Sequence, residues 1–208
     1  MITLYDNRDS GNGYKVRLLL ARLGLDYRLV DLDIDHGGTR TPEFLAINPN
    51  GKIPAIVLDD GRALSESNAI MTYLADGTPF LPLDRFERAQ VLQWLFFEQY
   101  SHEPQVAVAR YIRRHLPEGH PRYAELPARI ENGRKALSVM EQHLSNRPFM
   151  VGDGFSIADI GLFAYTHVAE QGGFDLGEFP TIQAWCGRIA AQPSHVPMLA
   201  GPPPHQAS

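Results

Sequence analysis

The chain has 208 residues, of which 44% are hydrophobic and 21% charged, the balance of a globular protein that buries a sizeable core. Its net charge of −5 and pI near 5.9 argue against nucleic acid or an anionic membrane as a partner. The single cysteine, Cys186, excludes an internal disulfide and fits a reducing compartment. Because no signal peptide and no membrane-length apolar run is visible, we expect a cytoplasmic protein.

The N-terminal third predicts strands alternating with helices. Residues 1–5 favour a first strand, and residues 14–23 favour an amphipathic helix that ends at Gly24. A second strand over residues 27–32 completes a βαβ unit, and Pro42 suits the first turn of a short helix.

A hairpin follows, and it completes the predicted sheet. Residues 53–58 and 62–64 favour two antiparallel strands joined at Asp59–Gly61, and Ser65 is expected to open the next helix. The order βαβ followed by αββα predicts an α/β thioredoxin-like domain with a mixed four-stranded sheet.

The rest of the chain predicts helices only. A long helix is expected after Asp84, and Pro104 should bend it or end its first half. Ser156 and Asp159 resemble a capping box, which makes them a folding element. We therefore expect a thioredoxin-like domain, a linker, an all-α helical bundle domain and a loosely ordered Pro-rich tail, at residues 1–76, 77–84, 85–192 and 193–208.

The segment from Asn48 to Ser67 offers backbone groups to a ligand. A proline at the mouth of a strand is a candidate cis bond, and Pro54 would then expose the N–H and C=O of Ile53 to an extended peptide. The N-terminus of the helix that carries Ser65, Glu66 and Ser67 can bind a carboxylate, and Glu66 can hold an amine. These features suit a small peptide with a free amino acid end, although a hairpin and a capped helix without a ligand fit equally well.

The same segment, NPNGKIPAI followed by SES, resembles the glutathione-site signature of the soluble glutathione transferase superfamily. The resemblance extends to the predicted all-α second half. It implies that Ile53, before a cis Pro54, pairs with the cysteinyl backbone of glutathione, and that Glu66 and Ser67 hold its γ-glutamyl end.

The loop before the first helix is where a sulfur would be activated. Lowering a free thiol pKa of about 8.5 by two units requires roughly 2.7 kcal/mol of preferential binding to the anion. The donors available are the Ser10 hydroxyl, the Asn12 amide and nearby N–H groups, and the glycines at 11 and 13 allow close approach. The loop contains no cysteine, so mixed-disulfide chemistry on the protein itself is not open to it.

This loop is similar to the Thr/Ser-x-Asn-Gly-x-Lys loop of bacterial nu-class-like transferases. That resemblance implies that Ser10 and Asn12 contact the glutathione sulfur and that Lys52 and Ile53 contact the cysteinyl-glycine half. The glycine carboxylate would fall to Thr39, where the family often has a longer side chain, or to its neighbour Arg40.

The resemblance implies a homodimeric glutathione transferase with glutathione as co-substrate and a small hydrophobic electrophile as second substrate. One alternative is a glutathione-dependent disulfide-bond oxidoreductase or peroxidase of nu-class type. Another is a non-catalytic dimeric binding protein. Four large apolar residues in a row, 94–97, support the dimer because they cover more than one helix face. The eight histidines show no paired ligand spacing, so no metal is expected.

Several other features have competing interpretations. Gly11 and Gly13 after a strand form a partial dinucleotide fingerprint, but the third glycine is missing. Tyr5 and Tyr14 are rival sulfur ligands. Three arginines either form a solvated face or line the cleft for the second substrate, and they are Arg110, Arg113 and Arg114.

Overall fold

The computed structural model describes residues 1–199, and the chain divides into two compact units. Of the described residues, 1–76 and 193–199 form unit 1, and 77–192 form unit 2. Of the predicted tail, the residues after Leu199 lie outside the described part.

Unit 1 contains the predicted mixed sheet. Its strands are β1 (Ile2–Asp6), β2 (Tyr27–Asp31), β3 (Ala55–Val57) and β4 (Ala63–Ser65), in the spatial order β2-β1-β3-β4. β1 pairs with β2 in parallel, whereas the β1–β3 and β3–β4 pairs are antiparallel. The thioredoxin-like arrangement expected from the sequence is therefore confirmed.

Three helices accompany the sheet: α1 (Gly11–Leu23), α2 (Pro42–Ile47) and α3 (Ser67–Ala75). α1 begins three residues earlier than predicted, because the Ser10 side chain accepts a hydrogen bond from the Gly13 N–H and caps the helix. Ser65 does not open α3 as predicted. It pairs with Ala55 at the end of β4, and the chain turns at Glu66.

Apolar side chains from α1, α3 and the strands form the core of unit 1. Alternate strand residues face this core, as Leu4 and Ile56 do, and α1 contributes the side chains one turn apart at Val16 and Leu20. The sheet face and the helix stripe therefore fix the direction in which α1 leaves the Ser10 cap.

Unit 2 contains no strand among its described residues, as predicted. Its α-helices are α4 (Arg85–Phe97), α5 (Glu103–His115), α6 (Leu126–Leu144), α7 (Ile157–Thr166) and α8 (Pro180–Ala190). None of the described helices is both long and apolar enough to cross a bilayer.

The predicted long helix is interrupted shortly before Pro104. A π-helical turn, Glu98–His102, separates α4 from α5, and Pro104 lies in the first turn of α5. A proline is tolerated there because the first N–H groups of a helix have no partner within the helix.

The expected capping box at the start of α7 is confirmed. Ser156 caps the helix, and the buried Asp159 carboxylate accepts bonds from the main-chain N–H and the hydroxyl of Ser156. The same carboxylate also accepts from the Met150 N–H and from Trp185 Nε1, both at 2.9 Å. Asp159 therefore joins the cap to the last helix of unit 2.

Residues 193–199 differ from the expected loosely ordered tail. The Tyr14 hydroxyl donates to the Val196 carbonyl at 2.8 Å, and Arg17 and Arg22 donate to the carbonyls of Met198 and Pro193. The segment is held because its main-chain carbonyls bind donors on α1. We call residues 193–199 the C-terminal strap.

Candidate functional site

The sheet topology brings three of the predicted site segments together. Tyr5, Ala55 and Ser65 are register partners across β1, β3 and β4. Because β3 is antiparallel to both neighbours, the end of β1, the start of β3 and the end of β4 meet at one end of the sheet. The loop to Ser10, the Ile53–Pro54 bond and the Glu66–Ser67 turn therefore lie at the same place.

Ser67 connects two of these segments directly. Its hydroxyl donates to Asn12 Oδ1 at 3.5 Å and accepts from Lys15 Nζ at 3.4 Å. Ser67 and Lys15 are buried, and Asn12 is half-buried. The turn before α3 and the first turns of α1 are thus held against each other by polar contacts.

Ser10 caps its own helix and keeps a hydroxyl hydrogen that can be donated. Its oxygen accepts from the Gly13 N–H at 3.2 Å, and a hydroxyl that accepts can donate its own hydrogen at the same time. With the Asn12 amide oxygen facing Ser67, the amide NH₂ is the donor end of that side chain. The predicted pair of neutral donors is therefore adjacent, at the N-cap and in the first turn of α1.

Two helix N-termini and one lysine bring positive charge to this end of the sheet. Over Gly11–Leu23 and Ser67–Ala75, neither α1 nor α3 has an acidic side chain in its first turn. Both N-termini therefore present the positive end of a helix dipole. The buried ammonium group of Lys15 adds a full positive charge close to Ser67.

Glu66 adopts an unusual backbone conformation in this site. It is the N-cap of α3 with φ 68° and ψ 111°, in the half of conformational space that non-glycine residues rarely adopt. Its side chain is exposed, whereas the next residue, Ser67, is buried. The turn therefore presents a carboxylate to solvent next to the first N–H groups of α3.

The Ile53–Pro54 peptide bond is cis, as the sequence suggested. Asn48 organises the loop before it: its Nδ2 donates to the Lys52 carbonyl at 2.7 Å, and its Oδ1 accepts from the Asn50 N–H at 3.2 Å. Pro54 is buried, Ile53 is half-buried and the Lys52 side chain is exposed. A buried asparagine thus fixes the path of the chain up to Ile53.

Of the two residues considered for the glycine carboxylate, only Arg40 is exposed. Thr39 is 8% exposed, and its carbonyl lies against Gly51. The Arg40 guanidinium donates to the Asn50 carbonyl at 3.4 Å and covers the same glycine. Arg40 and Lys52 thus bring two cations to one loop.

An ion pair that the sequence analysis did not single out lies beneath the Ser10 cap. Arg17 Nε donates to Asp6 Oδ2 at 2.8 Å, and both side chains are buried. Desolvation raises the pKa of Asp6 to about 6, although the positive charge of Arg17 acts against this. The Asp6 carboxylate fills the space where Gly13 has no side chain.

One sequence signal indicates that Lys15 and Arg17 are buried charges, although it does not identify their partners. Lys15 and Arg17 lie among apolar neighbours on α1 and are buried with them, so their charges require polar partners in the interior. Periodicity indicates that such partners are needed, but it does not identify them.

The rival sulfur ligands are placed differently. The Tyr14 hydroxyl is bonded to the Val196 carbonyl at 2.8 Å, and burial raises its pKa. Tyr5 lies on β1 with its ring 5.8 Å from that of Phe44. Cys186 lies in α8, where desolvation raises the pKa of its thiol to about 12.

Two further interpretations can be compared with the fold. The dinucleotide fingerprint requires another βαβ unit, but the chain after β2 forms α2 and an antiparallel hairpin. Arg110 is buried on α5 and donates to Gln171 at 2.7 Å, while Arg113 and Arg114 are exposed. Among residues 1–199, no group of three potential ligands is arranged to hold a metal ion.

A thioredoxin-like sheet with a cis-proline at the site, followed by a unit of α-helices, defines the glutathione transferase class of protein. The family model for the glutathione S-transferase N-terminal domain matches residues 1–76, and the model for the C-terminal domain matches residues 100–193. The chain belongs to the glutathione S-transferase family.

Individual relatives agree with this assignment. Disulfide-bond oxidoreductase YfcG of Escherichia coli (strain K12) is 38% identical over 201 residues, covering 93% of this chain and 92% of that protein. The crystal structure of a glutathione S-transferase from Pseudomonas fluorescens Pf-5 is similar with a TM-score of 0.92 and 54% identity, covering 96% and 99% of the two chains. A glutathione transferase from Burkholderia graminis, with two glutathione molecules bound per protein subunit, has a TM-score of 0.82 and 30% identity, covering 93% and 85%.

Proposed function

We propose that the protein is a glutathione transferase that binds glutathione at the end of the sheet described above and uses it as the thiolate. The observation that carries the proposal is the set of contacts through which Ser67 joins Asn12 and Lys15. It brings the donors proposed for the sulfur next to the turn proposed for the γ-glutamyl end. Family membership and glutathione bound in the Burkholderia graminis relative support the choice of ligand.

Each part of the tripeptide has a matching group in the site. The γ-glutamyl carboxylate would accept from the N–H groups at the start of α3, beside Ser67, and its ammonium would face the exposed Glu66. The main chain of Ile53, before the cis Pro54, would pair with the cysteinyl backbone. The glycine carboxylate would face the cations of Arg40 and Lys52, while buried Thr39 would support the adjacent turn.

Ser10 and Asn12 are the proposed catalytic residues because they can donate to the sulfur. Two hydrogen bonds to a thiolate, at about 1.5–3 kcal/mol each, would lower the thiol pKa by about two units or more. The dipole of α1 and the charge of Lys15 favour the anion further. The site therefore ionises a bound thiol without a reactive cysteine of its own.

The reaction that follows is nucleophilic attack by the thiolate. The thiol proton leaves to solvent, and the sulfur lone pair forms a bond to an electron-poor carbon of a small hydrophobic substrate. The leaving group departs with the electron pair of the bond that breaks, or the pair stays on the substrate where the attack is an addition. The product is a thioether of glutathione.

Disulfide reduction is the second candidate, favoured by the resemblance to the disulfide-bond oxidoreductase and by the two glutathione molecules bound in one relative. The thiolate would attack a substrate disulfide and release one thiol as a mixed disulfide forms. A second glutathione would then attack the glutathione sulfur of that mixed disulfide. The substrate disulfide is reduced to two thiols, and two glutathione molecules are oxidised to one disulfide.

Replacing both sulfur donors tests the activation. In Ser10→Ala/Asn12→Ala, the pKa of the bound glutathione thiol should rise by about two units or more, because two donors to the anion are lost. Ultraviolet thiolate absorbance of the complex across pH measures this value. Tyr5→Phe is the matched control, since it removes a hydroxyl from the adjacent end of β1 and should leave the thiol pKa unchanged.

An unchanged thiol pKa in the double variant would exclude Ser10 and Asn12 as the activating pair. Calorimetry on the unaltered protein separates the remaining possibilities. One glutathione per subunit fits conjugation, and two per subunit fit disulfide reduction. If no binding is seen at millimolar glutathione, the protein is a non-catalytic member of the family.

We also propose a cytoplasmic homodimer. α4 buries Trp94 and Leu95 in its own unit, but Phe86, Phe96 and Tyr100, on α4 and the π-helical turn after it, are each more than 70% exposed. An exposed aromatic surface of this kind favours a protein partner, and a second copy of the chain would cover it.

A further inference from the structure

The C-terminal strap lies along α1 and is bound through its main chain. Three α1 side chains donate to strap carbonyls: Arg22 to Pro193, Tyr14 to Val196, and Arg17 to Met198. The Met198 side chain is itself 6% exposed, so the strap also contributes an apolar contact. The strap is thus a built part of unit 1, and it reaches the half of the helix that carries the site.

The side chain of Arg17 contacts both the C-terminal strap and the loop that precedes Ser10. Its Nη2 donates to the Arg8 carbonyl and its Nε to Asp6 Oδ2, both at 2.8 Å, while Nη1 donates to the Met198 carbonyl. The residue is 3% exposed. Because a guanidinium is planar and holds its donors in a fixed fork, these three acceptors keep a fixed relation to one another.

The loop that Arg17 binds leads directly to Ser10. The Asn7 N–H donates to Asp6 Oδ1 at 2.7 Å, and the Ser10 N–H donates to the Asn7 carbonyl at 2.8 Å. Arg8, whose carbonyl is bonded to Arg17, lies between these two anchors. We call residues 7–10 the Ser10 loop. Its first residue, Asn7, is bonded to Asp6, a partner of Arg17, and its second, Arg8, is bonded to Arg17 itself.

We propose that Arg17 is a positioning residue for Ser10, and that the C-terminal strap holds Arg17 in the orientation that does this. The chemical consequence rests on the function proposed above. A buried donor that loses its acceptor is costly, so a guanidinium without the Met198 carbonyl turns toward another acceptor or toward water. Its bond to the Arg8 carbonyl weakens with that turn, and the Ser10 hydroxyl loses its fixed direction.

Two shortened chains test the role of the strap. One ends at Gln192 and lacks the strap, and the control ends at Leu199 and keeps every contact described above. α8 closes before the cut, because its last residue is Ala190 and the Gln192 N–H donates to the Ile189 carbonyl. Far-ultraviolet circular dichroism of both chains verifies that their helices are retained.

Two measurements are made on each chain. The first, without ligand, is hydrogen exchange at the Ser10 and Tyr14 amides, which are bonded to the Asn7 and Ser10 carbonyls. We expect exchange to be roughly tenfold faster in the chain that ends at Gln192. The second is the thiol pKa of bound glutathione, which should rise by about half a unit to one unit as Ser10 loses its alignment. The chain that ends at Leu199 should match the full chain in both.

Substitutions in the full chain provide a second route to the same result. Arg17→Lys keeps a positive charge beside Asp6 but cannot span three acceptors, so it should shift both measurements in the same direction as loss of the strap. Arg22→Gln is the matched control. Arg22 lies on the same helix and binds the same strap, but its bond is to Pro193, at the start of the strap. Because Tyr14 and Arg17 still bind the strap, Arg22→Gln should change both measurements less than Arg17→Lys does.

Hydrogen exchange tests the link between the C-terminal strap and the Ser10 loop without any glutathione present. Unchanged protection of the Ser10 amide, both without the strap and in Arg17→Lys, would overturn the proposal. Faster exchange with an unchanged thiol pKa would overturn the positioning role. If the full chain does not lower the thiol pKa at all, the proposed function fails, while faster exchange still supports the link between strap and loop.

Discussion

Gly13 is the residue of the site with the least room for change. A methyl group at this position would lie 1.5 Å from Asp6 Oδ1, inside the buried pair that Asp6 forms with Arg17. We expect Gly13→Ala to lower the free energy of unfolding by about 2–4 kcal/mol, because the buried carboxylate must move or lose partners. Urea denaturation followed by circular dichroism measures the change.

The control for this prediction is another helical glycine. Gly187 in α8 is exposed, and an added methyl group would meet nothing within 4 Å. Gly187→Ala should therefore raise the free energy of unfolding by up to about 1 kcal/mol, the difference in helix propensity. If Gly13→Ala were neutral or stabilising as well, the contact with Asp6 would not constrain the site.

At the scale of residues, polar residues at helix starts could be predicted from the sequence, whereas the pairing of buried charged residues could not. The donors Ser10 and Asn12 and the turn residue Ser67 could be proposed from short motifs, because each lies at a helix start. The buried Lys15 and the Asp6–Arg17 pair could not, since their partners are 11 or more positions apart in the chain. Charge alone does not distinguish a solvated side chain from a paired one.

The capping box of α7 is the element whose loss should cost unit 2 the most. Asp159→Ala leaves the Met150 N–H, the Ser156 N–H and Trp185 Nε1 without their common acceptor. We expect a loss of about 3–5 kcal/mol in the free energy of unfolding, since each buried unsatisfied donor costs about 1–3 kcal/mol and relaxation recovers part of this. Ser156→Ala should cost only about 1–2 kcal/mol.

Thermal or urea unfolding of both variants measures these losses. Ser138→Ala is the control, because its hydroxyl donates to a main-chain carbonyl, that of Arg134, but on an exposed helix face. It should change the free energy of unfolding by less than about 0.5 kcal/mol. A loss for Asp159→Ala no greater than that for Ser138→Ala would mean that the carboxylate does not join α7 to α8.

At the scale of elements, prediction succeeded where sequence signals are local. α2 starts at the predicted proline, and the cap of α7 lies at the predicted Ser156. The start of α3 was misplaced, because pairing of Ser65 with Ala55 depends on a strand ten residues away. The π-helical turn before α5 has no simple sequence pattern, so the proline indicated that the helix changes but not how.

Two buried aspartates, one in each unit, give the molecule a common pH dependence. Burial raises the pKa of Asp6 and of Asp159 from 3.8 to about 6 in each case, against the pull of Arg17 and of Trp185 respectively. Between pH 3.8 and about pH 6, each aspartate holds a proton in the folded state that it has released in the unfolded state. The stabilisation from this difference is therefore complete below pH 4 and is lost as pH rises through about 6.

Asp159→Asn tests whether the stability contributed by the aspartate of unit 2 falls as pH rises. Asparagine does not titrate, so the stability advantage of the unaltered protein over the variant should shrink as pH rises from about 4 to 7, by roughly 2–3 kcal/mol in total. Urea unfolding at half-unit pH intervals measures the difference. The decline arises because a buried carboxyl that is neutral at pH 4 must carry an unfavourable charge at pH 7.

Glu125→Gln provides the opposite case, because the pKa of this carboxylate is lowered. Hydrogen bonds from Arg122 and then Arg129 lower the pKa of Glu125 to about 2, so its contribution is present above pH 4.5 and is lost as pH falls toward 2. Between pH 5 and 7 its difference from the unaltered protein should stay constant. A constant difference for Asp159→Asn over the same range would mean that Asp159 is already ionised at pH 5, and that its four donors outweigh the desolvation of its charge.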